Sequence, residues 1–145
     1  VKVLSVYNAK KYLNRLRYLN LLIKSKKEQL AEVKNKAESI CSPSLRERVQ
    51  TSPKNDCIES SLSAVMELEN EIQIDVEKYL KIQLEISQAI SRIENYDERT
   101  LLELRYINLK KWEEIAVDMN YSYRQTLRLH GRALLSFERW HTMSH

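Results

Sequence analysis

From Asn8 to Ile40 the chain holds neither glycine nor proline and repeats an apolar residue at every seventh position. One seam runs Ala9, Leu16, Ile23, Leu30, Ala37; the other runs Tyr12, Leu19, Lys26, Val33, Ile40, with Lys26 its only charged member. A helix with two such seams carries a narrow apolar edge that another helix can cover. The spacing therefore predicts a coiled-coil helix roughly 50 Å long at about 1.5 Å per residue. A matching repeat lies between Cys57 and about Tyr96, at Ile58, Val65, Ile72, Tyr79, Ile86 and Ile93. Leu62, Leu68, Val76, Ile82, Ala89 and Ile90 widen it. Between the repeats, residues 41–56 hold Pro43, Pro53, four-fold scattered Ser and Asn, and read as a loop. Asp56 is the expected N-cap of the second helix, with Glu59 completing a capping box.

Charge points the same way. Residues 1–40 carry ten Lys or Arg against three Glu, and residues 57–98 carry three against ten acids. A basic and an acidic helix of similar length attract each other, so the expected arrangement is a long antiparallel coiled-coil hairpin over 1–96. Met66, Ile74, Leu80 and Leu84 lie off the seam and make the stripe wider than two helices need. That excess predicts either packing against the C-terminal part or contact with another protein, such as a second copy (a homodimer); both readings stay open. Cys41 and Cys57 flank the loop; reduced thiols are the expectation, since no Cys-x-x-Cys or His pair accompanies them.

The remaining residues, 97–145, read as a separate domain. Asp97 is the expected N-cap of its leading helix, and Leu101, Leu102, Leu104, Tyr106 and Ile107 supply core. Trp112, Ile115, Ala116 and Met119 share one face of a short helix over Lys111–Met119. Asn120 tolerates a left-handed backbone and can close that helix; Ser122 is a good N-cap for the next. There Thr126, Leu129, Ala133 and Leu134 point inward, while Tyr123, Arg124, Gln125 and Arg128 point outward. The small Ala116 permits close helix approach. The result is a three-helix helix-turn-helix unit. From Asn120 onward four Arg face a single acid, Glu138, which suits a polyanion such as DNA.

In that arrangement Arg124 forks onto guanine and Gln125 addresses adenine, Tyr123 meets a thymine methyl or a phosphate, and Arg128 serves either purpose. Ser122 caps the helix and reaches the backbone, while Lys110, Lys111 and Arg132 hold phosphates. For any single basic residue the plain alternative is a solvated charge; the cluster is harder to explain that way. Gly131 inside a helix suggests close approach of another helix or of DNA.

Glu114-Ile115-Ala116, Met119-Asn120-Tyr121-Ser122, Leu129 and Arg132-Ala133-Leu134 resemble region 4 of sigma-70-type RNA polymerase factors. Arg99 to Tyr106 resembles the helix that leads into that module. Asn120 replaces the usual Gly, and Thr126 replaces an aliphatic residue. Across Lys10 to Phe137 the chain also resembles small phage and mobile-element proteins of Gram-positive bacteria that end in such a module. Tyr12-Leu13-Asn14, Arg48 to Pro53 followed by Asp56, and Trp112 to Ala116 carry that likeness. The resemblance implies a transcriptional regulator related to phage late-gene activators, binding double-stranded DNA and contacting RNA polymerase.

Two other roles are consistent with the same features: a phage DNA-packaging protein of the terminase small-subunit kind, and a structural coiled-coil adaptor. An enzyme is not expected, because no Gly-rich phosphate loop, metal-ligand spacing or His/Cys/Ser constellation occurs; no cofactor or metal is expected either. The chain has no apolar run of the roughly 18–20 residues a membrane span needs and no visible secretory signal, so the expected location is cytoplasmic, away from membranes.

Overall fold

The computed structural model describes residues 2–41 and 53–143, with side chains over 6–39 and 57–141. Among the described residues the protein is all-α, with no strand. Helix α1 spans Lys2–Cys41 and α2 spans Pro53–Ser91. Helix α3 covers Tyr96–Leu102 and runs on into a π-helical turn, Glu103–Ile107. Helices α4, Trp112–Asp118, and α5, Tyr123–Met143, complete the chain. Most of the loop motif, residues 48–52, lies outside the described residues, as do the side chains of Cys41 and Ile40. Cys57 is a free thiol.

Two helix starts differ from the sequence expectation. Helix α2 begins at Pro53, because a proline at the first helical position loses no hydrogen bond and already has the right φ. Asp56 therefore sits in the first turn instead of capping it. Helix α3 begins at Tyr96 and is capped by Asn95, not Asp97: Asn95 Oδ1 accepts from the Glu98 N–H at 3.1 Å. Asp97 falls in the first turn, where its charge favours the positive helix end, and its Oδ2 accepts from the Tyr121 hydroxyl at 2.9 Å.

The described chain forms two compact units. One joins the residues up to Leu19 with Tyr79 onward; the other is Asn20–Lys78. In the first, Ala9, Leu13 and Leu16 of α1 and Ile86 and Ile90 of α2 share one core with α3, α4 and α5. Its centre holds Leu101, Leu102, Tyr106, Ile115, Leu129, Ala133, Leu134 and Phe137. The core thus crosses the 96/97 position at which the sequence suggested a domain boundary. Tyr12 donates its hydroxyl to Glu85, and Arg15 pairs with the same carboxylate at 3.0 Å. Burial and that carboxylate push the Tyr12 hydroxyl up to about 12.

In the second unit α1 and α2 run antiparallel, since partner numbers fall as α1 numbers rise: Lys26 with Asp75 (2.7 Å) and Glu71 (3.3 Å), then Lys34 with Glu69 (2.9 Å). The one charge in the α1 seam is therefore held between two carboxylates. Ile23 and Ile72 are buried, while Leu30, Val33, Val65 and Leu68 are half-buried. Ile58 and Leu62, assigned to the α2 seam, are exposed. Met66, Ile74, Leu80 and Leu84 are exposed as well, so packing among the described residues does not account for the width of the stripe.

Candidate nucleic-acid interface

The surface singled out by the sequence is assembled by two short-range devices, one at each side of a four-residue turn. Helix α4 starts after Lys111, whose backbone N–H donates to Glu114 Oε2 at 2.8 Å. Ile115 and Ala116 are buried, and Trp112 and Met119 pack against the core. At its end Asn120 adopts φ 57°. That left-handed step lets the Asn120 N–H reach Val117 O (3.1 Å) and the Tyr121 N–H reach Ala116 O (2.9 Å). The paired bonds satisfy carbonyls that a helix end leaves orphaned.

Helix α5 opens on a reciprocal cap. Ser122 Oγ accepts from the Gln125 N–H at 3.2 Å, and Gln125 Oε1 accepts from the Ser122 N–H at 3.0 Å. Thr126 is fully buried, and its hydroxyl donates to Ser122 O at 3.0 Å. That bond lets a threonine sit fully buried with its hydroxyl satisfied. The first turn of α5 is thus fixed by its own side chains.

Tyr123, Arg124 and Arg128 are exposed on this turn and the next. Gln125, Arg128 and Arg132 line an open depression of about 440 Å³ together with Tyr121 and Leu129. None of Arg124, Arg128 and Arg132 forms an ion pair among the described residues. Lys111 is exposed and likewise unpaired, whereas Lys110 Nζ is held by Asp118 Oδ2 at 2.6 Å. That hydrogen bond raises the Lys110 ammonium above its ordinary range, so a phosphate must compete with Asp118 for it. Gln125 is similarly committed: a bidentate contact to adenine uses both amide atoms, and its Oε1 belongs to the cap.

Behind this surface sits a buried polar pair that no local sequence pattern announces. Tyr106 Oη and His130 Nε2 are 2.8 Å apart, and the His130 ring meets Trp112 edge-on at 4.6 Å. Burial pushes the His130 imidazole down to about 4 and the Tyr106 hydroxyl up to about 12. His130 is therefore neutral near pH 7 and ties α5 to α4 and to the π-helical turn.

Arg105 was also missed. The π-helical turn closes with Asn108 N–H on Glu103 O at 3.0 Å, and Leu109 follows in the left-handed region at φ 56°. That is strained for a leucine. Arg105 spans the distortion: Nη1 donates to Lys110 O at 2.8 Å, and its guanidinium lies 4.4 Å over the Trp112 ring. The close spacing of Arg105 and Trp112 in the sequence was the available signal. Gly131 stands in open space, since a Cβ there meets nothing within 4 Å. Close approach of another helix therefore does not explain it.

This all-α protein belongs to the family described as "protein of unknown function (DUF1492)", whose model matches residues 39–138. That span takes in α2, α3, α4 and most of α5. No curated protein and no solved structure matches the chain. No helix among the described residues is long and apolar enough to cross a membrane.

Proposed function

We propose that the protein is a sequence-specific DNA-binding transcription regulator of a phage or mobile element. In this reading α4, the turn and α5 form a helix-turn-helix like sigma-70 region 4, and α1 with α2 forms a coiled-coil hairpin that carries it. The observation behind the reading is the first turn of α5: a self-capped helix start, preceded by a left-handed turn, that exposes Tyr123, Arg124 and Arg128, with no ion pair to either arginine among the described residues. A helix entering a major groove reads bases from its first turns, and guanidinium forks suit guanine. We assign base reading to Arg124 and Arg128, with Tyr123 beside them. Ser122 and Gln125 act as the cap that aims the helix, and Lys111 and Arg132 as phosphate holders. Lys110 joins them once DNA displaces Asp118. Contact with RNA polymerase belongs to the same proposal, as does a cytoplasmic site of action.

Replacing Arg124 by Ala should relax base preference at one or two positions, each worth about 1–3 kcal/mol of discrimination. Replacing Lys111 by Ala should weaken binding to all sequences alike. Fragment selection with both variants separates the roles; equal loss of preference in the two contradicts the assignment.

A further inference from the structure

Helix α1 brings cations of its own to the unit that contains α5. Lys10 and Arg17 are both exposed, and seven residues apart they share one face of α1, about 10 Å from each other at ~1.5 Å per residue. Leu13 and Leu16, from the adjoining face, are buried in the core shared with α5 and the π-helical turn. Neither Lys10 nor Arg17 forms an ion pair among the described residues. Leu13 and Leu16 share that core with Tyr106 of the turn and with Leu129 and Phe137 of α5, so this part of α1 packs alongside both, and the charge of Arg17 is felt at Arg105 and Tyr106 and that of Lys10 at His130.

Arg105 is the third member. Its guanidinium is fixed by the Trp112 ring and by the Lys110 carbonyl, which uses one of its five N–H donors. Burial and the neighbouring Arg17 both disfavour its charge, and Glu113, the nearby carboxylate, does not pair with it. Tyr123 of the first turn of α5 is also within its electrostatic reach. Like charges within electrostatic reach of each other repel, and an anion bound beside them relieves that repulsion.

We propose that Lys10, Arg17 and Arg105 form a second phosphate-binding patch beside the first turn of α5, gripping the backbone of the same nucleic acid that α5 reads. This rests on the DNA-binding reading and adds α1 to it. The patch contacts phosphodiester groups only, so it contributes affinity and salt dependence without sequence preference.

The test uses the full chain and a duplex carrying the sequence that the wild type selects, beside a scrambled duplex. The double variant K10A/R17A removes two exposed side chains, and circular dichroism checks that its helix content is unchanged. It should bind both duplexes roughly tenfold or more weakly at low salt, and its slope of log K against log salt should fall by about two. Preference between the duplexes should be unaltered. The control K24A/K27A, two unpaired cations further along α1, should change neither quantity. Unchanged affinity and slope in K10A/R17A, or an equal loss in the control, overturns the patch; Arg124→Ala still relaxing preference would leave the α5 reading intact. A wild type that binds no duplex overturns both.

Discussion

Residues 20–78 and the rest of the described chain draw on the same two long helices, yet they are stabilised differently. Around α5 the seam residues Ala9, Leu16, Ile86 and Ile93 are buried, and Leu13 and Ile90 beside the seams are fully excluded from solvent. Between Asn20 and Lys78 the seams bury Ile23 and Ile72 but leave Leu30, Val33, Val65 and Leu68 half-buried, and ion pairs at Lys26 and Lys34 supplement them. Two helices facing each other cover a seam from one direction only. A further layer is needed to seal it, and α3 with α5 supplies that layer in one unit alone. Exposed ion pairs contribute roughly 0–1 kcal/mol each, so they set register more than they add stability. A heptad repeat fixes which residues face a partner helix, whereas the depth of burial depends on what lies beyond that helix.

The largest expected effect probes that contrast directly. Leu13→Ala, in the sealed unit, should cost about 3–5 kcal/mol in urea unfolding, while Ile72→Ala should cost about 2 kcal/mol or less because its surroundings can collapse. Equal losses would mean the two units are packed alike. Next comes pH. His130 is pushed down to about 4 in the fold, whereas an unfolded histidine titrates near 6.5. The unfolded chain therefore binds the extra proton, so the stabilisation is complete above about pH 6.5 and is lost as pH falls toward 4. The loss should approach about 3 kcal/mol as an upper figure, and His130→Gln should flatten it. A wild type equally stable at pH 7 and pH 4.5 would exclude this coupling. The smallest effect is at Gly131. With open space around it and an ordinary helical φ, Gly131→Ala should stabilise α5 by about 0.5–1 kcal/mol, read as a raised melting temperature. A decrease would mean that something contacts this position.

Much of the interface was legible because its rules are local. Asn120 at positive φ, Ser122 as a cap, and the inward set Thr126, Leu129, Ala133 and Leu134 follow from side chains acting within one or two turns. The all-helical class followed from the heptads and the near absence of glycine and proline. What escaped depends on distant partners or on competition between neighbours. Asn95 and Asp97 are both fair caps, and the pull of Tyr121 on Asp97 favours the earlier one. The π-helical turn and the left-handed Leu109 have no sequence signature; they allow Leu101, Leu102 and Tyr106 to be buried together and are braced by Arg105. The second carboxyamide role of Gln125, as half of a cap, has its signal in the Ser-x-x-Gln spacing.

The central claim is that the outer face of α5 reads DNA sequence. Its most direct test is selection of genomic fragments by the purified full chain at two salt concentrations, with the bound fragments sequenced for wild type and Arg124→Ala. One promoter-like site should be enriched at both salts by the wild type and blurred at one or two base pairs by the variant. Uniform binding that vanishes with salt would contradict it in favour of a packaging role, and no binding at either salt would leave a structural adaptor.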